Sequence, residues 1–167
     1  MKINSQKQKA TRKHIWFVLR PLLVLAVLAA AALGGTEAAR AAEFRSVAEN
    51  AAVLYDAPST KAKRLYVVSH GYPFEVVVVV EGWSKVRDAN GELTWIENKH
   101  LAEKRTLLVK VALAQVRDSA DDNAPVVFQA QQNVLLELVE VASGGWLRVR
   151  HRDGQSGFVK VTQVWGA

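Results

Sequence analysis

Gly82-Trp83-Ser84-Lys85-Val86-Arg87 leads into a polar stretch ending at Gly91, and then into Glu92-Leu93-Thr94-Trp95-Ile96. The same order returns as Gly145-Trp146-Leu147-Arg148-Val149-Arg150, a polar stretch ending at Gly154, and Gln155-Ser156-Gly157-Phe158-Val159. In both places a Gly-Trp opens a run in which apolar and charged residues alternate. A polar turn closes on Gly, and a second short run sets an aromatic beside a β-branched residue. This is a β-hairpin signature, with Asn90-Gly91 and Asp153-Gly154 as the expected turn residues.

The likeness extends outward from the hairpin. An offset of 62 lays Val47 on Val109, Ala52 on Ala114, Asp56 on Asp118, Tyr66 on Phe128, Glu75 on Glu137 and Val77 on Val139. One extra residue at Ser143-Gly144 raises the offset to 63, and the two hairpins then coincide. The chain reads as a tandem duplication of a unit of about 60 residues.

Each unit reads as all-β, because strong β-formers dominate and helical periodicity is missing after the first 41 residues. In the first unit the pattern predicts strands near 51–55, 74–81, 83–88 and 92–96, with 56–72 as a long loop. Their counterparts are 113–117, 134–142, 146–151 and 157–160. The run Val76 to Val80 is apolar on both strand faces and is expected to be buried on both sides by the curl of a small barrel. The connection 101–106 is short and holds no Gly or Pro, so the two units should touch.

Charge separates the chain into two parts. Residues 1–41 carry seven basic groups against one acid, whereas the rest balances fifteen basic against fifteen acidic residues. The net charge of +6 therefore belongs to the leading segment. A nucleic-acid partner, which would call for a basic domain face, loses its support. Within the leader, a basic stretch precedes the apolar run 21–33, and Ala39-Arg40-Ala41 follows as an A-x-A site. That order predicts a secretory signal peptide over 1–41. The apolar run is shorter than the roughly 20 residues a spanning helix needs. Carrying Arg20 into the bilayer to extend it would cost about 2.5–3.5 kcal/mol. The expectation is cleavage and export to the periplasm or cell envelope, with membrane contact only if the leader stays uncleaved.

A unit of this size bearing G-W-x-[KR]-V-R, a turn Gly and then G-[WF]-V resembles the bacterial SH3 (SH3b) domain family. Val116-Arg117-Asp118-Ser119 is similar to that family's V-R-x-x-P-S segment, and Pro58-Ser59 keeps the Pro-Ser in the first copy. Thr94 stands where the family usually has Gly, and Ala120-Asp121 replaces Pro-Ser in the second copy. The resemblance covers both units. It implies two tandem small SH3-like β-barrels, over 42–103 and 104–167, exported behind the signal peptide. It also implies an accessory module that binds cell-wall peptides or proteins, in a family whose wall enzymes carry a separate catalytic domain.

No catalytic constellation is evident. The chain has no cysteine, no H-E-x-x-H spacing and no G-x-S-x-G elbow. His70, His100 and His151 fall in loops or at strand ends, so no catalytic residue, metal or cofactor is assigned. Binding has more to rest on. Residues two apart share a strand face. Trp146, Arg148 and Arg150 therefore line one face and Leu147 and Val149 the other; Trp83, Lys85 and Arg87 repeat this against Val86. With the apolar pair turned to the core, a partly exposed Trp in line with two cations could stack on a ligand while the cations meet its carboxylates. Tyr55, Tyr72 and Trp95 form a second aromatic cluster, confined to the first unit, where the second has Arg117, Val134 and Phe158. SH3-like folds bind peptides through such rings. The reading is an exported, non-enzymatic binding module for a peptidoglycan peptide or envelope protein. Its alternative is a structural or assembly protein that contacts a protein partner only.

Overall fold

A strand whose alternate residues are apolar must turn those residues to a shared interior, and the duplicated pattern does so twice. The computed structural model describes residues 42–167; the leader expected at 1–41 lies outside them. In the first unit the strands are β1 (Glu43–Val47), β2 (Ala51–Tyr55), β3 (Arg64–Ser69), β4 (Pro73–Val80), β5 (Trp83–Arg87), β6 (Leu93–Glu97) and β7 (Leu101–Ala102). The second unit repeats the series as β8 (Thr106–Val109), β9 (Leu113–Arg117), β10 (Val126–Gln131), β11 (Leu135–Val141), β12 (Trp146–Arg150), β13 (Ser156–Lys160) and β14 (Val164–Trp165). A single 3₁₀ turn precedes the last strand of each. Every pairing is antiparallel, in the orders β3-β2-β6-β5-β4-β1-β7 and β10-β9-β13-β12-β11-β8-β14. The two seven-stranded sheets are the tandem SH3-like barrels that the resemblance implied.

The cores sit at positions related by the same offsets as the sequences. Val47, Ala52, Leu54, Phe74, Val86 and Ile96 fill the first barrel. Val109, Ala114, Val116, Leu136, Val149 and Val159 fill the second at the matching places. Fully burying a side chain such as Phe74 contributes about 1.5–3 kcal/mol. The curl that closes each sheet comes from bulges. One breaks the β4–β5 register between Val76 and Val78, and its equivalent lies between Leu138 and Glu140 on β11. A bulge puts two residues opposite one and bends the strand.

Three expectations need correction. The segment 56–72 is not one long loop, because β3 lies within it and pairs with β2 from Ala51↔Ser69 to Tyr55↔Arg64. Its signal was weak, since its side chains alternate poorly between inside and outside. The Val76–Val80 run is not buried on both sides: Val77 to Val80 are all exposed, Val79 at 58%. Pairing with β1 ends at Val76, and the bulge at Val77 carries the rest of β4 past the core with only β5 beside it. The hairpin turns are also not two-residue turns. Asp88 N–H donates to Glu92 O and Gly91 N–H to Asp88 O, and Gly91 alone of the turn residues takes a positive φ. The second hairpin closes in the same way between His151 and Gln155.

Only residues 103–105 separate β7 from β8, and the barrels do touch. Phe44 of β1 meets Trp165 of β14 edge-on, with centroids 5.2 Å apart. The Thr106 hydroxyl donates to Gly71 O across the junction.

Candidate functional site

On β5, Ser84 and Val86 turn inward and are buried; on β6, Thr94 and Ile96 do the same. Alternation then places Trp83, Lys85, Trp95 and Glu97 on the outer face. Strand order completes the arrangement, since Tyr55 is paired with Trp95 and Trp95 with Lys85 across β2, β6 and β5. Trp83 meets Tyr55 edge to face, centroids 5.3 Å apart and ring planes at 87°. Such a pair adds about 0.5–1.5 kcal/mol beyond burial. It leaves Tyr55 buried, whereas Trp83 and Trp95 stay half-exposed. Lys85 Nζ stands 5.9 Å from the Trp95 ring centroid, at the outer limit of a cation–π contact.

The structure thus joins four residues from the two clusters foreseen in the sequence: Tyr55, Trp83, Lys85 and Trp95. Arg87 lies at the end of the row, tied to Glu75 by an ion pair of 2.8 Å. Tyr72 lies elsewhere. Its ring packs on Phe74 at 5.1 Å and joins the core of the barrel. Burial holds its phenol above the ordinary value of 10.0, with the charge of Asp88 adding to the effect. Edge roles fall to Glu97, opposite Trp83, and to Lys99, which bonds Glu97 at 2.8 Å. Their signal lay in the alternation of β6, which runs one residue beyond the predicted end of that strand.

The second barrel treats the same positions differently. Trp146 is not partly exposed but only 7% accessible. Lys160, paired opposite it on β13, lies over its ring at 5.3 Å and is anchored by Asp122 from the loop after β9. In the first barrel the position opposite the Trp is Glu97, which cannot cap a ring in this way. Arg117 replaces Tyr55 and is bound to Ala124 O and Gln115 Oε1, both at 2.6 Å. Trp146, Arg148 and Arg150 therefore do not act as one row. Trp146 is covered, Arg148 reaches Glu140 at 4.0 Å, and Arg150 lines a cleft where the barrels meet.

His100 approaches Glu97 at 3.7 Å and His151 approaches Asp153 at 3.0 Å. Among the described residues, no three of His, Asp and Glu converge as a metal would require.

A family model for the bacterial SH3 domain matches the chain twice, at residues 48–103 and 110–166. No curated protein matches it. Among solved structures, NlpC1 from Trichomonas vaginalis is 16% identical, with 78% of this chain and 48% of that one covered at a TM-score of 0.36. NlpC2 from the same organism is 15% identical, with coverages of 75% and 48% and a TM-score of 0.36. An NlpC/P60 family protein from Bacillus cereus is 15% identical, with coverages of 72% and 55% and a TM-score of 0.34. The chain spans about half the length of these structures.

Proposed function

Because the chain belongs to the bacterial SH3 domain family, we propose that it is an exported, non-enzymatic binding module for a cell-envelope component, a peptidoglycan peptide or an envelope protein. Export rests on the order of charge, apolar run and small residues in the leader. The observation that carries the binding reading is the outer face of β2, β6 and β5. There Trp83 and Trp95 stay half-open beside Lys85, on a base made by Tyr55. The equivalent Trp of the second barrel is sealed under Lys160. In a domain of about 60 residues, large apolar groups left at the surface are ones the core could have used. A flat, amphipathic surface of this kind suits a short peptide, with rings stacking on its apolar parts and the ammonium meeting a carboxylate. The first barrel is then the reader and the second its support.

The test is co-sedimentation of the protein with washed peptidoglycan sacculi, beside a Trp83→Ala/Trp95→Ala variant whose melting confirms that it folds. The wild type should pellet. The variant should lose about 2 kcal/mol or more of binding, roughly thirtyfold, as aromatic anchors do. Wild type left in the supernatant at low salt would defeat the wall-binding reading. A protein partner is the second reading, favoured by the exposed valines at the end of β4. Crosslinking in the envelope would then identify it.

A further inference from the structure

A cleft of about 620 Å³ opens where the two barrels meet. Its accessible apolar lining comes from Ala48 of the first barrel and Val134 and Leu135 of the second. Its walls carry the cations Lys104 in the connection and Arg150 and Arg152 at the end of β12, and His70 after β3 and His151 also line it. One carboxylate, Glu137, lies among them. Distant stretches of chain supply these groups, so no local motif announces them.

The duplication provides an internal comparison. Glu75 and Arg87 are cross-strand partners on β4 and β5, and Glu137 and Arg150 hold the same relation on β11 and β12. In the first barrel the two side chains pair at 2.8 Å. In the second, Glu137 pairs instead with Lys104 at 3.1 Å. Among the described residues no carboxylate then lies within 4.0 Å of Arg150, nor of Arg152. The connection that carries Lys104 occurs once in the chain. It takes up the acid that would otherwise neutralise Arg150, and it leaves an exposed guanidinium on the wall of a cleft.

We propose that this cleft binds a short acidic peptide with at least two carboxylates, and that Arg150 is its principal anchor. A guanidinium fork matches a carboxylate in a bidentate fashion, and Arg152 offers a second. The volume lies within the range of about 300–1,000 Å³ typical of small-ligand sites. The apolar lining that accompanies the cations favours a peptide over a bare inorganic anion, which has nothing to place there. This site is separate from the aromatic face and does not depend on its reading.

The test is calorimetric titration of the full-length chain with the dipeptide Ala-Glu at 0.15 M salt. Saturable binding is expected. Arg150→Ala should weaken it by about tenfold or more, the loss of one charge-assisted pair, and Arg150→Lys by less. Arg148→Ala, on the same strand but directed at Glu140, should bind as the wild type does. Lys104→Ala frees Glu137 to recapture Arg150 and should also weaken binding about tenfold; adding Glu137→Gln should restore most of it. The proposal fails if the wild type does not bind, if Arg150→Ala binds normally, or if the double variant recovers nothing. Inorganic phosphate competing as well as the dipeptide would equally overturn it. A thermal melt of each variant separates lost binding from lost fold.

Discussion

The two copies differ at single residues whose environments explain the difference. Thr94 is buried, and its Oγ1 has no hydrogen-bond partner. The second copy has Gly157 there, where a Cβ would stand 2.5 Å from Arg117 O. The first copy holds a side chain at this position but gives its hydroxyl no partner. A buried hydroxyl without a partner costs about 1–3 kcal/mol. Thr94→Val, which keeps the shape and removes the polar atom, should raise stability by about 1 kcal/mol. The denaturant midpoint should move up without a change in slope. A drop in the midpoint would mean that the hydroxyl does find a partner. Arg150 teaches the same lesson from the other side. Its counterpart Arg87 pairs with the equivalent cross-strand Glu, whereas Glu137 pairs with Lys104 instead.

At the scale of elements, β4 departs most from its pattern. Five consecutive valines fit burial on both faces as well as an exposed arm, because alternation carries no information when every residue is apolar. The bulge at Val77 and the end of β1 pairing at Val76 settle the matter, and both depend on neighbouring strands. The β5 and β6 strands were legible from the Gly-Trp hairpin that returns at β12 and β13, and β2, which has no polar residue, from its β-formers alone. The β3 strand was not, for its residues are mostly exposed. The candidate site was legible in the same measure. Trp83, Lys85 and Trp95 follow from alternation on β5 and β6, whereas the burial of Trp146 depends on Lys160 and Asp122, which no local period connects. The exposed half of β4 has a consequence of its own. An apolar strand end paired on one side is a template for association. Val79→Lys should leave stability within about 0.5 kcal/mol of the wild type, as surface changes do, while suppressing turbidity on heating. A fall of several degrees in Tm would show that Val79 packs against something.

Across the molecule, the two barrels are held by more than the three residues between β7 and β8. Arg105 Nη2 donates to Gly166 O at 3.0 Å and its guanidinium lies 5.8 Å from the Phe44 ring. Phe44 in turn meets Trp165, so the first described strand and the last one close on each other. At the junction, Gly166 is closely enclosed. Its φ is +105, and a Cβ would stand 2.8 Å from Thr106 O and 3.4 Å from Pro73 Cβ. Pro73 belongs to the first barrel and Thr106 to the second, so a side chain at 166 would wedge the junction rather than either core. Contacts of this density should make the wild type unfold in one calorimetric transition. Gly166→Ala combines backbone strain with overpacking, at about 1–3 kcal/mol, and should divide that transition into two, one for each barrel. Because the cleft walls come from both barrels, the same variant should also bind the acidic dipeptide more weakly than the wild type. A single transition at the wild-type Tm would show that the barrels are coupled elsewhere, and two transitions in the wild type would show that they are not coupled at all.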